Sequence, residues 1–169
     1  MARSSVHLVC PNCGAVNRVP AERPAQQAKC GSCHQRLFKG ASFPATAESF
    51  ERHRTRNDIP VVVDFWAPWC GPCRAMAPAY ERAAAELEPE CRLLKVNTEE
   101  QPALAERYKV RSIPTMILFA QGDPVARTAG AMNAAGIVNW VRAHGEVPQQ
   151  PGAAHPDERQ RPGQEGGGG

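Results

Sequence analysis

No apolar run in this 169-residue chain approaches the roughly 18 residues that a membrane-spanning helix needs. Residues 1–10 carry one arginine and no apolar segment, so they lack the pattern of an export signal. Closely spaced cysteines in a chain without an export signal bind metal or do redox chemistry more often than they form structural disulfides. We therefore expect a cytoplasmic protein that has no membrane association.

Residues 1–40 contain few large apolar side chains and a single aromatic one, Phe38. Their acidic content is one residue, Glu22, against six basic ones: Arg3, Arg18, Arg23, Lys29, Arg36 and Lys39. This excess could indicate nucleic-acid binding, but the segment has no basic run, and four metal-bound thiolates would cancel much of the charge. The composition therefore argues against a nucleic-acid partner.

Two cysteine pairs stand in this segment, Cys10-Pro-Asn-Cys13 and Cys30-Gly-Ser-Cys33, with sixteen residues between them. Two Cys-x-x-Cys pairs at this separation fit a tetrahedral zinc site. Four sulfurs complete the tetrahedron and leave no open position, so the site would be structural or redox-sensing rather than hydrolytic. We predict one zinc ion, bound by these four cysteines.

Other interpretations of the segment remain open at this point. It could be a disordered leader with incidental cysteines, or it could hold two small disulfides. His7 and His34 lie near the pairs, and either could replace a sulfur as a ligand. If zinc does bind, the metal supplies the folding energy that the sparse apolar side chains cannot.

A third cysteine pair follows a run of β-branched and aromatic residues, 61–66, that is typical of a buried strand. The strand stops at a turn, and Cys70-Gly71-Pro72-Cys73 opens a segment with helical spacing. Thiols at positions i and i+3 of a helix start can close a small disulfide ring. The first thiol lies where unpaired backbone N–H groups and the helix dipole stabilise a thiolate. The second can then attack a mixed disulfide formed by the first.

At these residues the sequence resembles the thioredoxin family, whose active-site signature is Trp-Cys-Gly-Pro-Cys after a strand that ends Asp-Phe-Trp-Ala. The similarity extends to Pro78, Lys95, the run 111–115, Gly122 and Gly130. Together with the two cysteine pairs in front, residues 5–145 resemble the bacterial zinc-containing members of that family. The resemblance implies a disulfide reductase in which Cys70 attacks and Cys73 resolves.

Asp64 is an acid inside an otherwise apolar strand. A buried carboxyl has a raised pKa, so Asp64 is predicted to accept the proton of Cys73; the alternative is a solvated strand residue. Lys95 could pair with Asp64 or lie on the surface.

The resemblance implies that Pro114 is a cis-proline beside the disulfide, offering a backbone edge to extended substrates. An apolar docking surface would be completed by Trp69, Gly71, Pro72, Ile113 and Gly130. Trp66 is assigned to the core. Cys91 is expected to be an inert, half-buried thiol, or otherwise a site of regulatory oxidation.

The order of predicted elements indicates an α/β fold. The order implies a mixed central sheet flanked by helices, and the resemblance implies that this is a thioredoxin fold preceded by a small zinc-ribbon-like module. We divide the chain into a zinc module at 1–40, a thioredoxin domain at 41–145 and a disordered Pro/Gly-rich tail at 146–169. Helices are predicted over 46–56, 73–87, 101–108 and 133–144, and strands over 61–66, 92–97, 115–120 and 125–129. The last helix is expected to bury Ile137, Val138, Trp140 and Val141.

The predicted function is a thiol-disulfide oxidoreductase that reduces protein disulfides and acts as a monomer. The resemblance implies recycling by an NADPH-dependent thioredoxin reductase, and no bound nucleotide or flavin is expected here because the sequence has no nucleotide-binding loop. Two alternatives stay open. The first is a zinc-ribbon binding module with an accessory redox domain, and the second is a regulator that senses zinc or oxidation.

Overall fold

The computed structural model describes residues 4–145. The predicted tail at 146–169 lies outside the described residues. The N-terminal segment forms an antiparallel hairpin of β1 (Ser5–Val9) and β2 (Val16–Pro20), followed by a short 3-10 turn at Ala25–Gln27. Within residues 4–145, no helix is long and apolar enough to cross a membrane.

The remaining described residues form a five-stranded sheet with helices on both faces. Its strands are β3 (Phe43–Pro44), β4 (Val61–Trp66), β5 (Arg92–Asn97), β6 (Thr115–Ala120) and β7 (Asp123–Ala129). Its helices are α1 (Ala47–Arg56), α2 (Gly71–Leu87), α3 (Pro102–Arg107) and α4 (Ala134–Gly145). The strand order is β3-β5-β4-β6-β7, with β4 parallel to β5 and antiparallel to β6. The predicted mixed sheet is confirmed.

Alternation along β4 sends its side chains to two cores. Val62 joins a cluster with α2 and α4 that includes Tyr80 and Ile137. Val63 and Phe65 join a second cluster on the other face, with α1 and α3. Because β4 is covered on both faces, five of its six residues are buried, which explains its nearly unbroken apolar sequence.

The eight predicted helices and strands agree with the structure to within two residues at every boundary. Thr46 caps α1 through a reciprocal bond with Ser49, as a helix start requires. Three burial assignments were wrong, those of Trp66, Trp140 and Cys91; Trp66 is half-buried at the end of β4. Trp140 is only half-buried, since it lies at the border of the α2–α4 core. Cys91 is fully buried rather than half-buried, because Leu87 and the residues of α4 cover the start of β5.

The N-terminal segment packs against one end of the sheet. Its apolar cluster, built on Leu8, Leu37 and Phe38, also contacts Ile59, which lies just before β4. The dithiol follows the other end of β4. A six-residue strand spans about 20 Å, so the two groups of cysteines lie at opposite ends of the sheet.

Candidate active site and zinc centre

Cys70 and Cys73 form a disulfide with a Cα–Cα distance of 5.3 Å. Cys70 is the N-cap of α2, and its sulfur accepts a hydrogen bond from the backbone N–H of Cys73 at 3.2 Å. Both are almost fully buried, with 4 % and 3 % of their surface exposed. Once the disulfide is reduced, the same N–H and the helix dipole stabilise a thiolate on Cys70.

The segment that precedes the disulfide presents a large aromatic side chain to solvent. Trp69 is 65 % exposed, and its indole N–H donates to the carboxylate of Glu99. Glu99 follows the end of β5, the parallel neighbour of β4, so both loops leave the sheet at the same edge. The contact fixes the orientation of Trp69 next to Cys70.

The loop before β6 forms the other side of the site. The Ile113–Pro114 peptide bond is cis, and the sulfur of Cys70 lies 3.7 Å from the carbonyl oxygen of Ile113. The N–H of Gly130 donates to the carbonyl of Pro114 at 2.9 Å. Gly130 has φ +102°, a conformation that other residues rarely adopt. The structure therefore brings Trp69, Cys70, Ile113, Pro114 and Gly130 to one end of the sheet.

Asp64 is 2 % exposed and shares the α2-facing side of β4 with Val62. Burial raises the pKa of Asp64 from 3.8 to about 7, with Lys95 opposing the rise and Glu81 adding to it. Its Oδ1 atom is buried and has no hydrogen-bond partner among the described residues. A carboxyl group whose pKa lies near neutrality can accept a proton at the pH where thiols react.

Lys95 does not form an ion pair with Asp64 within the described part of the chain, although the two residues are neighbours in register. Its ammonium instead lies 4.6 Å from the ring centroid of Trp66. That ring is half-buried rather than part of the core, which leaves its face open to a cation. Lys95 thus affects the Asp64 pKa at a distance.

The four N-terminal cysteines converge at the tip of the hairpin, and all their sulfurs lie within 4.8 Å of one another. Cys10 and Cys33 are 3.7 Å apart, and Cys13 and Cys30 are 3.6 Å apart. Zinc bonded to four sulfurs at about 2.3 Å would place them about 3.8 Å apart, so the donor set fits this metal. His7 does not join the cluster: it pairs with Asp58. His34 is also absent from the group of candidate ligands among residues 4–145.

Polar N–H groups surround these sulfurs. The backbone N–H of Asn12 points to Cys10 and that of Ser32 points to Cys30, each at 3.3 Å. The side-chain amide of Asn17 reaches Cys30 at 3.5 Å. Such donors stabilise the thiolate form, which is the form that binds metal.

Sequence reasoning missed three groups. Glu99 could have been found from the rule that neighbouring parallel strands end at the same edge of a sheet. Nothing in the sequence indicates that Asn57 and the pair Glu88–Arg92 are buried, because polar residues with this spacing usually lie on the protein surface. Their role depends on contacts with the N-terminal segment.

Comparison with known proteins agrees with this geometry. The thioredoxin family model matches residues 41–143, and a zinc-ribbon family described as the N-terminal part of thioredoxin 2 matches residues 9–35. Thioredoxin C-3 of Corynebacterium nephridii is 39 % identical over 134 residues, which are 79 % of this chain and 92 % of the relative. The thioredoxin of Porphyra purpurea is 45 % identical over 87 residues, 52 % of this chain and 81 % of the relative.

Among solved structures, a mutant thioredoxin from Halobacterium salinarum superimposes with a TM-score of 0.58 at 28 % identity. The match covers 64 % of this chain and 95 % of the other. Fold and dithiol define a thiol-disulfide oxidoreductase. The chain belongs to the thioredoxin family and carries the zinc-ribbon segment found before some thioredoxin domains. It reduces protein disulfides through the Cys70–Cys73 pair.

Proposed function

We propose that Cys70 is the attacking thiol and Cys73 the resolving one. The observation that carries this assignment is the position of Cys70 as N-cap of α2, with its sulfur accepting the Cys73 N–H. The Cys70 thiolate attacks one sulfur of the substrate disulfide, that disulfide breaks, and the departing sulfur takes up a proton. A Cys70–substrate disulfide results.

The resolving step then completes the reduction. Cys73 loses its proton to Asp64 and attacks the sulfur of Cys70, which breaks the bond to the substrate and forms the Cys70–Cys73 disulfide. The departing substrate sulfur takes up a second proton. The substrate has gained two electrons and two protons, and the protein has lost two electrons. Asp64 is suited to this role because its burial places its pKa at about 7.

The substrate chain is proposed to lie on the surface formed by Trp69, Gly71, Pro72, the Ile113–Pro114 segment and Gly130. Trp69, Gly71, Pro72 and Gly130 are exposed around a buried disulfide, so a partner must bring an extended segment close to the sulfur of Cys70. The backbone at Pro114 would pair with the backbone of that segment. Such pairing depends on the extended shape of the substrate rather than on its sequence, which suits a reductase of many proteins.

We assign the four N-terminal cysteines to one structural zinc ion. Four sulfurs at tetrahedral spacing leave no position for a substrate or water, so the ion would contribute folding energy rather than catalysis. The division into a zinc module at 1–40 and a catalytic domain at 41–145 is part of this proposal. The reductant would be an NADPH-dependent thioredoxin reductase, in the cytoplasm, acting on a monomer.

The test is reduction of insulin disulfides, coupled to NADPH and a thioredoxin reductase, with native and zinc-stripped protein. Turnover by the native protein, lost in a Cys70→Ser variant and largely kept after zinc removal, is the expected result. Metal analysis of the native protein should give one zinc per chain. Turnover that survives in Cys70→Ser would contradict the assignment of the dithiol, and absence of metal would contradict the zinc centre.

A further inference from the structure

Strand β1 has one edge paired with β2 and the other turned towards the thioredoxin domain. On that second edge, the N–H of His7 donates to the carboxylate of Asp58 at 2.7 Å. The N–H of Asp58 donates back to the carbonyl of His7 at 2.9 Å. An edge strand needs partners for these groups, and here the loop between α1 and β4 supplies them.

Val9, the residue just before Cys10, has both backbone groups bound by side chains of the thioredoxin domain. Its N–H donates to Oδ1 of Asn57 at 2.8 Å, and its carbonyl accepts from Nη2 of Arg92 at 3.2 Å. All three residues are buried, with 0 %, 6 % and 1 % of their surface exposed. Because all three residues are buried, these two bonds decide where the chain enters the cysteine cluster.

Arg92 contacts the N-terminal segment at more than one point. Its guanidinium lies 4.4 Å from the ring centroid of Phe38 and pairs with Glu88 at 3.5 Å. Glu88 in turn accepts the backbone N–H of Gly40 at 2.8 Å. This ion pair is therefore enclosed by Val9, Phe38 and Gly40, all of which lie in the N-terminal segment. A buried pair of charges is retained only where such contacts compensate for lost hydration.

Asn57 is oriented by a neighbour on its other side. Its Nδ2 donates to the carbonyl of His53 at 3.1 Å and lies 2.9 Å from the His53 ring nitrogen Nδ1. Burial, together with Arg92 and Arg52, lowers the pKa of His53 to about 3, so the ring is neutral and Nδ1 can accept. The amide oxygen of Asn57 is thereby left to face the N–H of Val9.

We propose that Asn57 and Arg92 are positioning residues for the zinc site: by holding Val9 they fix Cys10 among the four sulfurs and raise the affinity for the metal. The inference rests on the proposed zinc centre. It adds that the thioredoxin domain supplies part of the metal affinity, although none of its side chains is a ligand. Groups that orient metal ligands change affinity by about 10- to 100-fold when they are removed.

The test measures zinc transfer from the full-length protein to a chromogenic chelator, which yields the dissociation constant for zinc. Asn57→Ala removes one bond to Val9 and is expected to raise this constant about tenfold. The double variant Glu88→Gln, Arg92→Met removes the buried pair together, so that no lone charge remains. It is expected to raise the constant about 10- to 100-fold.

Three controls separate positioning from a general loss of stability. Asn139→Ala changes an exposed asparagine on α4. Glu86→Gln with Arg142→Met removes the exposed pair between α2 and α4. Ile137→Val lowers the free energy of unfolding from within the core and does not touch the N-terminal segment. We expect all three to bind zinc as the unaltered protein does.

Two results would refute the positioning role and leave the zinc centre intact. One is a dissociation constant in Asn57→Ala and in the double variant equal to that of the controls. The other is an equal rise in Ile137→Val, which would show a stability effect alone. If the double variant does not fold, Asn57→Ala decides the question. If the unaltered protein binds no zinc, the assignment of the zinc centre is wrong and the positioning role is wrong with it. If every variant binds zinc normally, only the positioning role is refuted.

Discussion

Replacing Asp64 by asparagine tests whether burial raises the pKa of its carboxyl group as far as its surroundings indicate. In the folded protein the pKa of Asp64 is about 7, whereas its ordinary value is 3.8. Between those values the unfolded chain binds fewer protons than the folded one, so the free energy of unfolding falls as pH rises. Over the whole window the loss is about 4 kcal/mol, at about 1.4 kcal/mol per tenfold change in the equilibrium constant.

The Asp64→Asn variant keeps the shape and removes the ionisation, so it should not show this loss. Its free energy of unfolding relative to the unaltered protein should therefore grow by about 2 kcal/mol between about pH 5.5 and pH 8.5. Urea denaturation of the oxidised proteins at several pH values measures this, with the exposed Asp123→Asn as control. The resolving step should be slower in the Asp64 variant. A stability difference that stays constant with pH would refute the buried, raised-pKa carboxyl.

Cys73→Ser should accumulate Cys70–substrate disulfides on non-reducing gels and Cys70→Ser should not, because only the first thiol attacks; equal trapping by both would overturn the assignment. Cys91→Ser should lower the free energy of unfolding by about 1–3 kcal/mol more than Cys91→Ala in urea titrations, since it buries a hydroxyl, with insulin reduction unchanged. A chain starting at Gly40 should still reduce insulin, but its free energy of unfolding in urea should be about 3 kcal/mol lower, because Arg92 loses its hydrogen bond to Val9 and its cation–π contact with Phe38; undiminished stability would contradict that.

The dithiol and its class could be predicted from the sequence because their signals are local. One short stretch contains the β-branched run, the turn and the two cysteines three positions apart at a helix start. The same holds for the four clustered cysteines of the N-terminal segment, whose spacing within each pair sets the loop geometry. In both cases the chemistry is encoded by neighbours along the chain.

The contacts that orient these groups follow from the sheet topology. Glu99 reaches Trp69 because β4 and β5 are parallel neighbours and their loops leave at the same edge. Lys95 contacts Trp66 rather than Asp64, although its register places it beside the acid. Side-chain direction and local exposure decide such pairs, and neither is visible in residue order.

The sequence by itself determined the fold class, the order of elements, the redox pair Cys70–Cys73 and the four N-terminal cysteines that the structure brings together, since periodicity and short-range spacing carry that information. Only the tertiary structure decided that Asn57, Glu88 and Arg92 are buried. Asn57 and Glu88 are the C-caps of α1 and α2, Arg92 begins β5, and all three are covered where the N-terminal segment folds back over one end of the sheet. Burial by a segment more than forty residues away depends on the packed surfaces of both parts, so no local pattern encodes it.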